Sequence, residues 1–273
     1  MPTPPKHARP TPLPFPLRAV RVARVTAHVM QGLATTAMVF PLIDLPRRQK
    51  LIRAWCLRLL RILRVDARIH GLPANGLPGN LLIVANHISW LDIFVLCTVQ
   101  PARFIAKSEI AAWPLVGRLI AGAGTLFIER GRRRDTHKVN RNASDALARG
   151  DVIAIFPEGT TTDGRTVLPF HGSLLQPIVD ADGHVQPIAI RYRTLAGEHN
   201  DAPAYVGETS FMSSFWRVTA ERVLVVELHL APPLPARARH RRELALAAEA
   251  AIRTALALPA RGPAPDTPGD RPT

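Results

Sequence analysis

Two ionisable side chains, His87 and Asp92, stand five residues apart in one short segment of the chain. The segment directly follows an apolar run, Leu81 to Ala85, which predicts a buried β-strand. Ligand sites of open α/β folds lie at the carboxyl ends of strands, so the pair would stand at a sheet edge. There Asp92 would accept a hydrogen bond from His87 Nδ1 and fix the tautomer. Nε2 would then be free to remove a proton from a substrate hydroxyl.

The same residues also admit a purely structural interpretation. Ser89 and Asp92 fit a capping box, in which Ser89 caps a helix and Asp92 occupies the third helical position. His87 would then be an ordinary turn histidine. Both interpretations stay open on these residues alone, because short His/Asp spacings are common.

In two further segments, polar residues directly follow a predicted strand. Phe156 to Thr160 ends the apolar run that begins at Val152, which predicts a loop at the carboxyl end of a strand. The two strand-end loops, after Ala85 and after Phe156, are expected to face one cleft. Gly124 to Arg130 is a short strand pattern that ends in an arginine. A planar guanidinium suits bidentate capture of phosphate or carboxylate.

Together these segments resemble the glycerolipid acyltransferase family, which includes lysophosphatidic acid and lyso-ornithine lipid acyltransferases. His87 and Asp92 fit its His-x4-Asp motif. Residues 124–130 are similar to its second block and residues 156–160 to its Phe-Pro-Glu-Gly-Thr block, while Pro187 stands where its fourth block has a proline. The blocks follow one another in the order that the family has.

The resemblance implies transfer of a fatty acyl group to the hydroxyl of a lysolipid acceptor, with acyl-CoA or acyl-acyl carrier protein as co-substrate and no bound cofactor or metal. In that scheme His87 is the general base and Asp92 orients it. The residues that would hold the polar head of the acceptor are Arg130, Glu158, Gly159 and Thr160. The chemistry is consistent, because a hydroxyl that attacks a thioester needs a base within reach and donors for the oxyanion.

One position separates two classes of acceptor. Many members of the family have a basic residue after the threonine of the third block, whereas this chain has Thr161. The departure weakens the case for a phosphate-bearing acceptor, and residues 160–164 look more like the branch that acylates lyso-ornithine lipids. The preferred acceptor is 1-acyl-sn-glycerol-3-phosphate, which gives phosphatidic acid, with lyso-ornithine lipid as the alternative. Arg165 is a candidate to supply the missing charge.

The net charge of +14 and the isoelectric point near 11.3 would attract nucleic acid, anionic lipid or an acidic carrier protein alike. A nucleic-acid-binding module is disfavoured, because the chain has only two tyrosines and no stretch that interleaves aromatic with basic residues. A catalytically silent membrane adaptor is disfavoured because both His87 and Asp92 are present. The two cysteines, Cys56 and Cys97, fit a reducing compartment and offer neither a disulfide framework nor a metal spacing.

The amino-terminal part of the chain is expected to dock on an anionic membrane surface. From Leu51 to Val65, arginines occupy one side of a predicted helix and apolar residues the other. An interfacial helix has this profile, and so does a packed helix with a solvated basic face. Val25 to Leu45 is mostly apolar but interrupted, with basic residues beyond both ends. An interfacial helix or hairpin on the cytoplasmic face of the inner membrane is therefore preferred to a single span.

Strand and helix patterns alternate through the rest of the chain, which predicts an α/β fold with a mixed, largely parallel sheet flanked by helices. We expect a disordered Pro-rich tail at 1–17, membrane-associated helices at 18–65, an acyltransferase domain at 66–257 and a disordered tail at 258–273. Strands are predicted near Leu81–Ala85, Ala102–Ala106, Thr125–Ile128, Val152–Phe156, Gln186–Tyr192 and Leu224–His229. Helices are predicted near Asp92–Val99, Glu109–Ile120, Asp135–Arg149 and Arg241–Leu256.

Overall fold

The computed structural model describes residues 12–74, 76–112, 116–128 and 133–260, which form an eight-stranded sheet with helices on both faces. The strands are β1 (Val65–His70), β2 (Leu81–Ala85), β3 (Arg103–Lys107), β4 (Leu126–Ile128), β5 (Val152–Ile155), β6 (His184–Arg193), β7 (Leu224–Leu230) and β8 (Leu234–Pro235). The helices are α1 (Phe15–Met38), α2 (Leu45–Leu63), α3 (Asp92–Val99), α4 (Ser108–Ala111), α5 (Val116–Gly122), α6 (Arg133–Ala148), α7 (Gln176–Asp180), α8 (Phe211–Ala220) and α9 (Arg241–Ala255). Short 3-10 helices occur at Phe40–Leu42 and Gly172–Leu175.

The strand order is β1-β7-β6-β2-β5-β3-β4, with β8 paired to β6 beside this path. β2 lies between β5 and β6 and runs parallel to both, and β3 and β4 continue the parallel part. β7 and β8 pair antiparallel with β6, while β1 is parallel to β7. The predicted mixed, largely parallel sheet is therefore confirmed. This order places the carboxyl ends of β2 and β5 next to each other.

Strand β2 is buried along its whole length because helices cover both of its faces. On one face Ile83 and Ala85 belong to a core that includes residues of α2 and α3. On the other face Leu82 and Val84 belong to a core that includes residues of α6 and α9. A continuous apolar run is what such a central parallel strand requires, and it fixes the position of the loop that follows.

The predicted strands are all present, and no end differs by more than two residues from the one expected. The predicted helix Glu109–Ile120 divides into α4 and α5, with residues 113–115 outside the described residues. The sequence patterns do not predict β1, α7, β8 or α8. β1 begins directly after α2, where the helical pattern was expected to continue to Val65, and Arg64 ends the helix with a left-handed φ of 60°.

Helices α1 and α2 pack on each other and on the sheet. The apolar side of α2 is buried in the protein, at residues such as Cys56, Leu59 and Leu60. Of the two interpretations that the sequence left open for this helix, the burial of its apolar side fits the packed helix. The exposed large apolar residues of the pair lie mainly on α1, at Leu17, Val20, Met30 and Met38.

No helix in the described part of the chain combines the length and the apolarity needed to cross a bilayer. The disorder predicted for residues 1–17 is wrong for residues 15–17, because α1 begins at Phe15, with Pro14 as N-cap. The remaining tail residues, 1–11 and 261–273, lie outside the described residues.

Candidate active site

His87 and Asp92 lie together at the carboxyl end of β2. His87 Nδ1 lies 2.8 Å from Asp92 Oδ2. The Asp92 side chain is fully buried, whereas 21% of the His87 side chain is exposed. A carboxylate at Nδ1 requires the Nδ1–H tautomer, so Nε2 is the ring atom able to accept a proton.

The Asp92 carboxylate also shapes the loop that carries His87. Its Oδ2 accepts from the backbone N–H of Ile88 at 2.7 Å and of Ser89 at 2.9 Å. The Ser89 bond is one half of the expected capping box. The other half is absent, because Ser89 Oγ accepts from Leu91 N, at 3.2 Å, and not from Asp92 N. One carboxylate therefore starts the helix and holds the imidazole, so the two interpretations of this segment are compatible.

Tyr192 on β6 completes the contacts of this carboxylate, and sequence reasoning missed it. Its hydroxyl donates to Asp92 Oδ1 at 2.7 Å from a position that is almost fully buried. Burial and the charge of Asp92 raise the pKa of Tyr192 well above its ordinary value, so the hydroxyl keeps its proton and remains a donor. Its signal in the sequence is weak, because Gln186 and Arg191 are further polar residues in the same strand pattern.

Asn86 joins β2 to β6 beyond the end of the regular pairing. Its side-chain amide donates to Ile190 O at 3.0 Å, and its side-chain oxygen accepts from Ile190 N at 2.7 Å. The side chain thus replaces a backbone ladder step. This bridge sets the position from which the chain turns toward His87.

Glu158 ties the loop after β5 to the loop after β2. Its Oε1 accepts from His87 N and its Oε2 from Leu168 N, both at 2.7 Å. Burial raises the pKa of Glu158 to about 7, and the two amide donors offset only part of the burial effect. Glu158 as a whole is 3% exposed, and both of its carboxylate oxygens accept from backbone amides, so this geometry favours a structural role over contact with the acceptor.

The other residues predicted to hold the acceptor differ in how well they are placed. Gly159 is half-buried, with a left-handed φ of 72°, and Thr160 is exposed on the same loop. Arg130 lies outside the described residues, two positions after the end of β4. β4 is the edge strand, three strands from β2, so its end lies about 14 Å away at about 4.8 Å per strand.

The residues after the third block are occupied by internal contacts. The Thr161 hydroxyl donates to Tyr205 O, and Thr162 N donates to His87 O at 2.8 Å. Arg165 is exposed and lies 3.6 Å from Asp163 and 3.4 Å from Asp201. Its charge is therefore shared with two carboxylates. Within the described residues, no cluster of His, Cys, Asp and Glu side chains is arranged to hold a metal ion.

An apolar cavity of about 210 Å³ lies beside the site, and the sequence did not indicate it. Its walls come from α1, α2, α3 and α5 and from the start of β3, where Phe104 contributes. Phe104 stacks on Phe156, with ring centroids 6.1 Å apart, and Phe156 stacks on His87 at 3.9 Å. Aromatic rings thus connect the imidazole to the wall of the cavity.

Comparison with known proteins identifies the family of this chain. The family model for acyltransferases matches residues 67–191, a span that includes His87, Asp92 and Glu158. The chain is 39% identical over 243 residues to the lyso-ornithine lipid O-acyltransferase of Pseudomonas aeruginosa, and this match covers 87% of this chain and 92% of that protein. The chain belongs to the acyltransferase family.

Two further similarities agree with that assignment. The chain is 39% identical over 158 residues to the 1-acyl-sn-glycerol-3-phosphate acyltransferase of Neisseria gonorrhoeae, which covers 58% of this chain and 62% of that protein. The crystal structure of the 1-acyl-sn-glycerophosphate acyltransferase PlsC from Thermotoga maritima is similar with a TM-score of 0.63, over 88% of this chain and 96% of that chain. At 21% sequence identity this second similarity establishes the shared fold.

Proposed function

We propose that this protein transfers a fatty acyl group from a thioester donor to the free hydroxyl of a lysolipid, with His87 as the general base. The observation that carries the proposal is the partly exposed imidazole whose Nδ1 is held at 2.8 Å by the buried carboxylate of Asp92. A neutral imidazole in this tautomer presents a basic Nε2 to a hydroxyl group. Membership of the acyltransferase family supports the reaction class.

The reaction follows from this geometry in two steps. His87 Nε2 removes the proton of the acceptor hydroxyl as its oxygen attacks the thioester carbonyl, which forms a tetrahedral oxyanion. Collapse of this intermediate forms the ester and breaks the carbon–sulfur bond, and the imidazolium returns its proton to the leaving thiolate. Asp92 stabilises the imidazolium between the two steps. Glu158 acts as a positioning residue for His87, while Arg130, Gly159 and Thr160 remain the candidates for contact with the acceptor.

The acyl chain of the donor extends into the cavity of about 210 Å³. Two observations support this assignment: the walls are largely apolar, and the Phe104–Phe156–His87 stack joins the cavity to the catalytic histidine. Apolar lining with few polar groups is what a hydrocarbon chain requires. The donor is either acyl-CoA or acyl-acyl carrier protein.

Lyso-ornithine lipid is the acceptor that the observations favour, and 1-acyl-sn-glycerol-3-phosphate is the second candidate. The chain matches 92% of a lyso-ornithine lipid acyltransferase but 62% of a glycerophosphate acyltransferase at the same identity. Thr161 is uncharged and its hydroxyl is engaged by Tyr205 O. Arg165 is a poor substitute for the missing cation, because this exposed side chain pairs with Asp163 and Asp201.

The enzyme works at an anionic membrane surface, on the cytoplasmic face of the inner membrane. Two surfaces support this part of the proposal. The exposed side of α1 is largely apolar, whereas the exposed side of α2 carries Arg53, Arg58 and Arg61. Apolar groups beside arginines suit the boundary between acyl chains and anionic headgroups.

The proposed function is tested by supplying the purified full chain with each lysolipid in turn, and with acyl-CoA or acyl-acyl carrier protein as donor. The diacyl product is separated and quantified. We expect transfer to lyso-ornithine lipid, with a lower rate on 1-acyl-sn-glycerol-3-phosphate. Faster transfer to the phosphate-bearing acceptor would reverse the acceptor assignment, and no transfer to either would contradict the proposed function.

A further inference from the structure

Helix α8 packs its inner face on the loop that carries the catalytic pair. The rings of Phe211 and Phe215 lie 5.3 and 6.1 Å from the ring of Trp90. Ser214 Oγ accepts from Trp90 Nε1 at 3.1 Å. Since Trp90 stands inside the His-x4-Asp segment, the position of α8 is tied directly to the active site.

The segment that leads into α8 is fixed to the same place. Tyr205 N donates to Ile88 O at 3.0 Å, and Tyr205 O accepts from the Thr161 hydroxyl. Arg217 of α8 in turn donates to Ala204 O. The helix and its preceding loop therefore form one wall that contacts both catalytic loops.

The outer face of α8 exposes two large apolar side chains. Met212 is 64% exposed and Trp216 is 41% exposed. The start of α1 adds Phe15 and Leu17, which are 68% and 55% exposed, and the Phe15 ring lies 6.3 Å from the Trp216 ring. We call these four side chains the aromatic patch. Grouped apolar side chains on a surface mark a site of interaction.

Arginines flank the aromatic patch. The guanidinium carbon of Arg18 lies 3.9 Å from the centroid of the Trp216 ring, and Arg18 also donates to Trp216 O at 2.8 Å. Arg217 is exposed on the next position of α8. Tryptophan beside arginine is typical of the water–lipid boundary, where the ring sits at headgroup depth and the cation meets anionic lipid.

We propose that the aromatic patch inserts into the surface of a bilayer that contains anionic phospholipid. The bilayer then lies against the wall that α8 forms at the active site, so a lysolipid reaches His87 along this wall without leaving the membrane. The inference rests on the proposed function and deepens it by naming the surface at which the acceptor enters. Charge favours this occupant, since both arginines beside the patch and the net charge of +14 match anionic headgroups.

Quenching of tryptophan fluorescence tests the insertion without any substrate. The full chain is mixed with vesicles of phosphatidylglycerol and phosphatidylcholine whose acyl chains carry bromine, which quenches tryptophans that enter the bilayer. Wild type should be quenched more strongly than Trp216→Phe, because only the wild type carries a tryptophan at position 216 of the patch and the two proteins share all their other tryptophans. Equal fractional quenching in the two proteins would overturn the proposal. The readout is independent of activity, so it separates this inference from failure of the proposed function.

A charge substitution provides the second test. Met212→Glu should weaken binding to the same vesicles in a sedimentation assay by about tenfold, because it places a carboxylate at the lipid boundary. Leu246→Glu is the matched control, since Leu246 is 56% exposed on α9, on the other face of the sheet. Unchanged vesicle binding by Met212→Glu would overturn the proposal. So would a loss of self-association in this variant with undiminished quenching, which would make the patch an interface between two copies of the chain.

Once acyl transfer is established, the enzyme activity of Met212→Glu provides a third test of the aromatic patch. Met212→Glu should raise KM for a lysolipid presented in vesicles and leave kcat/KM for a short-chain, water-soluble acceptor unchanged. The short-chain acceptor reports on the chemistry at His87, which the substitution does not touch. An equal loss on both acceptors would indicate damage to the site and would contradict the role of the patch in acceptor entry.

Discussion

The hydroxyl of Tyr192 donates to one oxygen of Asp92 at 2.7 Å, while the other oxygen of the same carboxylate lies 2.8 Å from His87 Nδ1. The Tyr192 hydroxyl thus fixes one oxygen of the carboxylate, and the other oxygen orients the imidazole. The backbone amides of Ile88 and Ser89 also donate to this carboxylate. A buried carboxylate satisfied in this way keeps one orientation, which fixes that of His87.

Removing the Tyr192 hydroxyl should therefore slow catalysis without affecting substrate binding. Tyr192→Phe leaves Asp92 Oδ1 buried with one donor fewer, and we expect kcat to fall by about tenfold with KM unchanged, plus a loss of about 1–3 kcal/mol of unfolding free energy. Steady-state kinetics and urea denaturation measure the two effects. Tyr205→Phe is the control, because the contacts of Tyr205 with the catalytic loops use its backbone atoms. A rise in KM with kcat intact would contradict this positioning role.

Glu158 should make the stability of the protein depend on pH. Burial raises its pKa from 4.5 to about 7, so the folded protein binds this proton more tightly than the unfolded chain does. The unfolding free energy should fall as pH rises from about 4.5 to about 7, by up to about 3 kcal/mol from this group, and level off above that range. Urea denaturation at pH 5 and pH 8 measures the slope.

Glu158→Gln should abolish this pH dependence of the unfolding free energy and weaken the positioning of His87. An amide offers one acceptor oxygen where the carboxylate offers two, so its NH₂ group would face the N–H of either His87 or Leu168. We expect a loss of about 1–3 kcal/mol of unfolding free energy at pH 8 and a lower kcat. A variant with the wild-type pH slope would show that another group titrates in this range.

The cavity should select the length of the acyl chain. Ala123 lies in its wall, so Ala123→Leu reduces the available volume and should shift the preferred donor toward shorter chains. Relative rates over a series of acyl donors measure the shift. Ala148→Leu, at an exposed position on α6, makes the same substitution away from the cavity and should leave the series unchanged. An unchanged series in Ala123→Leu would place the acyl chain elsewhere.

Position 161 should control the choice of acceptor. Thr161→Lys introduces an ammonium group next to the catalytic loops, and we expect the ratio of activity on 1-acyl-sn-glycerol-3-phosphate to that on lyso-ornithine lipid to rise by about tenfold. Thr161→Met has a similar length without charge and should leave this ratio low. If both variants change the ratio equally, the effect comes from loss of the contact with Tyr205 and not from charge.

The parts of the fold that the sequence predicts well have strong local signals. β2 and α3 have the predicted bounds, because β2 is an uninterrupted apolar run and α3 directly follows a turn whose amides bind the Asp92 carboxylate. The partnership of Tyr192 with Asp92 has no such signal, since it joins a strand residue to the start of a helix 100 residues away in the chain. The hydrogen bonds of Glu158 could not be predicted from the sequence either, because they depend on backbone groups of a neighbouring loop. α8 was missed because its aromatic residues face Trp90, a contact that only the tertiary structure creates.

The catalytic rate of His87→Ala tests the central claim most directly. The fold should persist in this variant, because Asp92 keeps the amides of the loop and the Tyr192 hydroxyl as donors. We predict that kcat falls by about 10²–10⁴-fold, the contribution typical of a general base, while the matched variant His171→Ala, on the exposed loop nearby, retains activity. A His87→Ala protein that transfers acyl groups within a few-fold of the wild-type rate would contradict the assignment of His87 as the base.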